Sequence, residues 1–129
     1  MLTPLAVWAN TRTSTRTDLQ HFLDRAGVGR FFAWIVTSVD AGFRKPAPQF
    51  FDFALGKCGL AREEVLFVGN QLNTDIVGGQ EYGIRTGWLS GSTHRSADET
   101  LSPQDVHPIY TIPTLRELPP FLESLCVKR

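Results

Sequence analysis

The sequence predicts an α/β fold, in which a parallel sheet is covered by helices on both faces. Two observations support this class: short apolar runs alternate with segments of helical period, and a glycine follows most of the helical segments. A length of 129 residues suits one domain with one hydrophobic core. We therefore expect a single domain over residues 1–129, in which residues 91–108 form an irregular loop rich in Ser, Thr, Asp, Pro and His.

Five apolar runs are the predicted strands. They cover residues 4–10, 34–38, 64–70, 84–90 and 108–112, and the last of them is expected at an edge of the sheet. The run at 64–70 is the most continuously apolar, which is typical of a strand covered on both faces.

The first two helices follow from apolar spacing and end signals. After the first run, apolar residues follow the spacing i, i+3, i+4, i+7 at Leu19, Phe22, Leu23 and Ala26. Gly27 is placed to end that helix, and Pro48 to begin the next, which Gly59 closes. The predicted inner face of this second helix consists of Phe50, Phe51, Ala54, Leu55 and Cys58.

The third helix is expected to begin after the run at 64–70 and to end at Gly83. Either Asn73 or Thr74 can cap it. Asp75 then lies in its first turn, where a carboxylate is favourable for the helix dipole whatever the function.

Charge and cysteine content exclude several classes of function. The formal net charge is zero and no basic run is present, so neither nucleic acid nor a membrane is indicated as a partner. Cys58 and Cys126 lie far apart with no CxxC spacing, which indicates reduced thiols. With no signal peptide or membrane-spanning run recognised, a cytoplasmic location is the expectation.

Polar residues follow three of the predicted strands. They lie in "WANT" at 8–11, "DAGFRKPAP" at 40–48 and "VGNQLNTD" at 68–75. Because ligands collect beyond the carboxyl ends of parallel strands, we expect Lys45, small polar groups and Asp75 to meet at one rim. Such a rim suits a phosphate or another anion.

The segments "GFRKPAPQFF" and "EEVLFVGNQLNTDIVGGQEYGIRTGWL" resemble the haloacid dehalogenase (HAD) superfamily of hydrolases. The resemblance runs from Leu5 to about Leu125. It implies a three-layer, Rossmann-like core. It also implies phosphoryl transfer, in which Mg²⁺ and a Lys neutralise the phosphate while an Asp becomes an aspartyl-phosphate.

The resemblance assigns roles to individual residues. Lys45 matches the phosphate-stabilising Lys of the third motif, and Asn10 matches the Asn of the second. Gly69 and Asp75 match the two ends of the acidic fourth motif, which makes Asp75 the candidate metal ligand. Thr11, beside Asn10, is a further candidate for binding.

Several expected groups have no counterpart. Ala9 stands in place of the phosphate-binding hydroxyl, and Asn70 in place of the leading Asp of the fourth motif. The first motif, with its Asp-x-Asp nucleophile, its central strand and the cap, finds no match. The charges of Lys45 and Asp75 sum to zero, so we expect little attraction for Mg²⁺ and no hydrolysis by this chain alone, as in a pseudoenzyme.

A missing central strand would leave two strand edges without partners, and open edges favour association. We therefore expect either a homodimer or a partner chain that supplies this strand. The leading interpretation is a truncated phosphatase-type domain that keeps a weak anion site at Lys45, Asn10 and the amides near Asp75. The alternatives are half of a split phosphohydrolase and a non-catalytic protein-binding module.

Several of these polar residues also have a purely structural interpretation. Asn70 either caps its turn or contacts a ligand, and Thr11 and Asn10 are ordinary residues for a turn. The hydroxyls of Thr15 or Thr17 are expected to cap a helix. The histidines are scattered and receive no metal or catalytic role: His21, His94 and His107.

Overall fold

The chain forms two compact units, Met1–Ala61 and Arg62–Arg129. The computed structural model describes residues 4–91 and 101–120 of them. The expectation that the chain is a single domain stays a prediction, and each unit is described by itself below.

The first unit contains a sheet of two parallel strands. Strand β1 (Leu5–Ala9) pairs with β2 (Phe32–Thr37), and the register places Trp8 opposite Val36. Helix α1 (Arg16–Arg25) and a short 3₁₀ turn at Gly29–Phe31 connect the two strands. Helices α2 (Ser38–Ala41) and α3 (Pro48–Cys58) follow β2. The predicted strand–helix alternation and the parallel pairing are therefore confirmed for this unit.

The ends of α1 and α3 follow the sequence signals. Thr15 caps α1 through a capping box with Asp18, in which each residue accepts a hydrogen bond from the other's backbone amide. α3 begins with Pro48 in its first turn and ends at Gly59, whose φ of 68° is the left-handed conformation that favours glycine.

α3 supplies much of the core of the first unit, and α1 supplies little of it. All five positions predicted for the inner face of α3 are buried, namely Phe50, Phe51, Ala54, Leu55 and Cys58. The ring of Phe51 meets the ring of Trp8 edge to face, with centroids 6.3 Å apart. In contrast, no residue of α1 is buried, and Phe22 is 59% exposed although it lies in the apolar stripe of that helix.

The second unit contains a sheet of three parallel strands. Strand β4 (Arg85–Leu89) lies between β3 (Leu66–Gly69) and β5 (Tyr110–Ile112), so the prediction of an edge strand near residue 110 is confirmed. The expectation that the strand near residue 67 is covered on both faces stays a prediction, since no residue of β3 is exposed and one is buried. β3 ends the sheet, and of its four residues only Phe67 is buried.

The connection after β3 differs from the predicted capped helix. A π-helical turn spans Leu72–Ile76 and leads directly into helix α4 (Val77–Tyr82), which Gly83 ends at a φ of 93°. Neither Asn73 nor Thr74 caps a helix, because both lie inside the π-helical turn.

Part of the segment expected to be irregular is helical. Residues 103–106 form helix α5 (Pro103–Val106). Ser102 and Asp105 make a capping box at its start, and Pro103 occupies its first turn. Residues 92–100 of that segment, like Cys126, lie outside the described residues. No helix in the described part of the chain is long and apolar enough to cross a membrane.

Candidate functional site

Lys45 lies at the carboxyl end of β1 and is largely buried. Lys45 is 9% exposed, and its ammonium Nζ donates a hydrogen bond to the carbonyl of Trp8 at 2.9 Å. The same ammonium lies 5.9 Å from the ring centroid of Phe50 on α3. A buried cation with fixed neighbours is strongly attractive to an anion, because the surroundings screen its charge poorly.

Asn10 holds the backbone of Lys45 in place. Its Oδ1 accepts from the amide of Lys45 at 2.9 Å, and its Nδ2 donates to the carbonyl of Lys45 at 3.1 Å. Asn10 follows β1 and Lys45 follows α2, so these two bonds join two loops that are 35 residues apart in sequence. The two candidates from the second and third motifs are therefore brought together, and the side chain of Asn10 positions Lys45.

Thr11 is fixed by a second pair of bonds. Its amide donates to Oγ of Ser38 at 2.8 Å, and the same hydroxyl donates to the carbonyl of Thr11 at 3.0 Å. The hydroxyl of Thr11 donates to the carbonyl of Ser14 at 2.7 Å, so its proton is already used within the loop. The hydroxyl of Thr11 is therefore engaged within its own loop, and a binding role for Thr11 stays a prediction.

Two residues that contribute to this arrangement were not identified from the sequence. Ser38 is 5% exposed and begins α2, and Nη1 of Arg44 donates to the carbonyl of Thr11 at 3.2 Å. The signal for Ser38 was its position at the carboxyl end of a predicted strand, where polar groups gather. Arg44 precedes Lys45 directly and shares its loop.

In the second unit, Asp75 packs closely against Gly69. Asp75 is 5% exposed, and its Oδ2 accepts a hydrogen bond from the amide of Gln71 at 3.2 Å. A β carbon on Gly69 would overlap the carboxylate of Asp75, which explains why glycine stands at the end of β3. The two ends of the fourth motif therefore meet in space.

Asn70 and Asn73 take part in the same turn. The carbonyl of Asn70 accepts from the indole Nε1 of Trp88 at 3.3 Å. Oδ1 of Asn73 accepts from the amide of Leu101 at 3.3 Å, so this side chain connects the turn to the segment before α5. Trp88 lies on β4, next to β3, and so holds the polar loop to the sheet of its own unit.

The described residues do not provide a complete magnesium site. In residues 4–91 and 101–120, no three His, Cys, Asp or Glu side chains are grouped so that they could hold a metal ion. Asp75 is a buried carboxylate, but Asn70 offers only a neutral oxygen where the resemblance expects a second one. Mg²⁺ usually requires one or two carboxylates together with substrate phosphate and water. One carboxylate and one neutral amide, the donors found in the described part of this turn region, do not fit the ion.

The candidate residues divide between the units. Asn10, Thr11 and Lys45 lie together in the first unit, while Asn70 and Asp75 lie together in the second. Their convergence at a single rim stays a prediction.

The chain matches one family model and several known proteins. Residues 42–118 match the HAD-hydrolase-like family. Pyrimidine 5′-nucleotidase YjjG of Escherichia coli K12 is 36% identical over 97 residues, which cover 74% of this chain and 40% of that protein. Glyceraldehyde 3-phosphate phosphatase of Methanocaldococcus jannaschii is 31% identical over 103 residues, which cover 80% of this chain and 43% of that protein.

The fold has a solved counterpart. The crystal structure of the HAD-hydrolase YfnB from Bacillus subtilis, bound to magnesium, matches with a TM-score of 0.74 and 27% sequence identity. The match covers 93% of this chain and 48% of that one, so the chain spans about half the length of the relatives it matches. Its parallel strands, its helices and its family match together show that the chain belongs to the HAD-like hydrolases and has their Rossmann-like α/β fold.

Proposed function

We propose that this chain is the phosphate-binding part of a phosphatase-type HAD hydrolase, in which Lys45 neutralises the phosphate. The observation that carries the proposal is the buried ammonium of Lys45, fixed 2.9 Å from the carbonyl of Trp8 on a loop that Asn10 holds by two hydrogen bonds. A fixed cation stabilises charge in a transition state without reorganising, which is the usual role of such a group in phosphoryl transfer.

The choice of a phosphate ester as substrate is supported by similarity. Two relatives carry the names of a nucleotidase and a phosphatase. A HAD-type reaction begins when a carboxylate oxygen attacks phosphorus, the ester P–O bond breaks and the leaving oxygen takes a proton. Residues 1–129 contain no Asp-x-Asp pair to supply that carboxylate. We therefore propose that these residues alone bind phosphate and do not hydrolyse the ester.

The carboxylate would then come from another polypeptide segment. Support comes from the pairing of the strands in residues 4–91 and 101–120, where β1 is joined along one edge to β2, and β3 along one edge to β4. An open edge accepts a further strand through its backbone groups. The proposal therefore includes either a second copy of this chain or a partner chain at these edges. It also includes a cytoplasmic location, which agrees with the buried free thiol of Cys58.

The central test combines phosphate binding with turnover. We expect the purified chain to bind inorganic phosphate in isothermal titration calorimetry and to leave p-nitrophenyl phosphate intact when Mg²⁺ is present. Lys45→Ala should abolish phosphate binding. Lys57→Ala is the matched control, since Lys57 also lies near a ring, 5.3 Å from the centroid of Phe53, but on the exposed side of α3.

Two results would overturn the proposal. Phosphate binding that persists in Lys45→Ala would remove Lys45 from the site. Turnover by the purified chain that Lys45→Ala abolishes would show that the chain contains its own nucleophile. Size-exclusion chromatography with light scattering tests the association separately, and a monomer at all concentrations would exclude the homodimer.

A non-catalytic binding module is the second candidate. It is favoured by the exposed apolar surface of the first unit, where Leu5 on β1 is 41% exposed and Phe22 on α1 is 59% exposed. This candidate predicts no phosphate binding at all, so the calorimetric titration distinguishes the two.

A further inference from the structure

A shallow depression lies between the loops that follow β1 and β2 in the first unit. Its volume is about 320 Å³. The side chains that line it belong to Thr11, Arg12, Ser38, Val39, Phe43 and Arg44. Thr11 follows Asn10 and Arg44 precedes Lys45, so this depression is built on the same two loops that hold the proposed phosphate site.

The lining is positively charged. Arg12 and Arg44 are both exposed, and no acidic side chain is part of the lining. Arg44 uses one N–H to bond the carbonyl of Thr11, which orients a guanidinium that has five N–H donors in all. The carboxylate of Asp40 on the neighbouring α2 is already engaged by the hydroxyl of Thr37 and the amide of Arg16, at 2.6 and 2.7 Å.

The depression also exposes apolar surface next to these charges. Phe43 is 47% exposed and Val39 is 40% exposed, and together they place apolar surface in the lining beside the two arginines. A guanidinium beside an apolar surface suits a molecule with an acidic group on an apolar body, because Arg binds a carboxylate through two parallel hydrogen bonds.

The backbone around the depression is fixed by buried bonds. The hydroxyl of Ser38 both accepts from and donates to the backbone of Thr11, at 2.8 and 3.0 Å. Because these bonds join the two loops directly, the backbone beside Arg12 is held in place, and the guanidinium of Arg44 is oriented by its own bond to Thr11. Preorganisation of this kind reduces the entropy lost on binding.

We propose that this depression binds a second acidic group, carried on the leaving part of the substrate. The substrate class is therefore an organic phosphate whose apolar body bears a carboxylate. Lys45 takes the phosphate, Phe43 and Val39 contact the body, and Arg12 and Arg44 take the carboxylate. This inference rests on the proposed function, because it needs the phosphate site at Lys45.

The experiment compares two probes that differ only in the second acidic group: phenyl phosphate and 4-carboxyphenyl phosphate. In calorimetric titrations of the whole chain, we expect the carboxylated probe to bind about tenfold more tightly. Arg12→Gln should reduce that preference while the affinity for phenyl phosphate stays the same. Arg44→Gln should also reduce the preference, and the double variant should abolish it. Arg30→Gln is the matched control, since Arg30 is exposed in the same unit but lies over the ring of Phe31.

A further variant separates charge from structure. Arg44→Gln also removes the bond to the carbonyl of Thr11, whereas Arg44→Lys keeps the positive charge and should keep part of the preference. Arg12 makes no hydrogen bond within the described residues, so Arg12→Gln tests the charge alone even if the Arg44 variants unfold.

The outcomes of the two proposals differ. If phenyl phosphate binds in a Lys45-dependent manner and the carboxylate adds nothing, the inference is wrong and the proposed function stands. An equal loss of both probes in Arg12→Gln would also overturn the inference. If neither probe binds, both proposals are wrong.

Discussion

The side chain of Asn10 bonds both backbone polar groups of Lys45. It accepts from the amide at 2.9 Å and donates to the carbonyl at 3.1 Å. Only an amide side chain supplies an acceptor and a donor at this spacing, so neither Asp nor Leu can replace it without losing one or both bonds. The lysine that resemblance assigns to phosphate is therefore held by a residue that need not touch phosphate itself.

We expect Asn10→Ala to weaken phosphate binding although Lys45 is unchanged. The variant leaves the amide and carbonyl of Lys45 without these partners, which costs about 1–3 kcal/mol in the free energy of unfolding. The ammonium then has a less fixed position, so the calorimetric affinity for inorganic phosphate should fall. Urea unfolding measures the loss of stability in the same samples.

Asn73→Ala is the control for that variant. It also removes a side-chain bond to a backbone amide, that of Leu101, but in the second unit. It should lower stability without changing phosphate affinity. If Asn10→Ala lost stability and kept its affinity, Asn10 would have only a structural role.

The pairing of Asn10 with Lys45 was accessible from the sequence, and its surroundings were not. Both residues follow predicted elements at expected loop positions, and parallel strands bring such loops to the same end of a sheet. Ser38 and Arg44 act through the backbone of Thr11, a contact between loops that no periodicity encodes. The core face of α3 was predictable because helical spacing alone defines it.

The segment after β3 shows the opposite case. Its residue types predicted a capped helix, but a π-helical turn forms at Leu72–Ile76 instead. Leu72 and Ile76 are fully buried there, and Asp75 packs against Gly69. Tertiary packing therefore overrides the local capping preferences of Asn73 and Thr74, which sequence patterns cannot reveal.

Gly79 on α4 predicts a specific coupling with Thr86 on β4. A β carbon at Gly79 would overlap Cγ2 of Thr86, while its next neighbours, on Ile84 and Phe67, lie at ordinary contact distances of 3.4 and 3.5 Å. Gly79→Ala should therefore destabilise the chain by about 1–3 kcal/mol through overpacking. In a Thr86→Ser background, which lacks Cγ2, the same change should be nearly neutral.

A double-mutant cycle in urea measures this coupling, which we expect to exceed about 1 kcal/mol. Gly56→Ala on α3 is the control, because a β carbon there meets nothing within 4 Å. That change should stabilise the chain by about 0.5–1 kcal/mol, since alanine is the better helix former. A Gly79→Ala effect that is the same in both backgrounds would exclude the contact with Thr86.

The capping box of α1 predicts a pH dependence at the acidic end. Hydrogen bonds from the backbone and side chain of Thr15 lower the pKa of Asp18 below its ordinary value. The unfolded chain then takes up a proton at a higher pH than the folded chain does. The contribution of Asp18 to stability is complete above the ordinary aspartate pKa, about 3.9, and is lost as the pH falls through the lower folded value.

We expect Asp18→Asn to remove that part of the acid-dependent loss. Urea unfolding of both chains at several values below about pH 5 should show a smaller dependence on pH in the variant. A carboxyl titration by NMR locates the effect at Asp18, and Thr15→Ala should raise the pKa of Asp18 toward its ordinary value. Identical pH dependence in the parent and in Asp18→Asn would show that the capping box does not control this loss.

Asn70→Asp should give the chain a stronger affinity for magnesium without giving it activity. The substitution adds a second carboxylate to the loop just before the turn that contains the buried Asp75, and a hard dication binds more tightly as carboxylate ligands are added. We expect the dissociation constant for Mg²⁺ to fall by about tenfold or more in calorimetric titrations, which corresponds to about 1.4 kcal/mol. Saturating Mg²⁺ should correspondingly raise the melting temperature of the variant above that of the parent.

The matched control for this last change is Asn73→Asp, which adds the same charge within the turn itself, at a residue whose side chain faces the amide of Leu101. It should gain little affinity for the ion, so equal gains in both variants would mean that general charge, and not the place of Asn70, attracts magnesium. Hydrolysis of p-nitrophenyl phosphate should stay absent in Asn70→Asp, because a bound cation does not replace the attacking carboxylate. Turnover in that variant would show that residues 1–129 already contain a nucleophile.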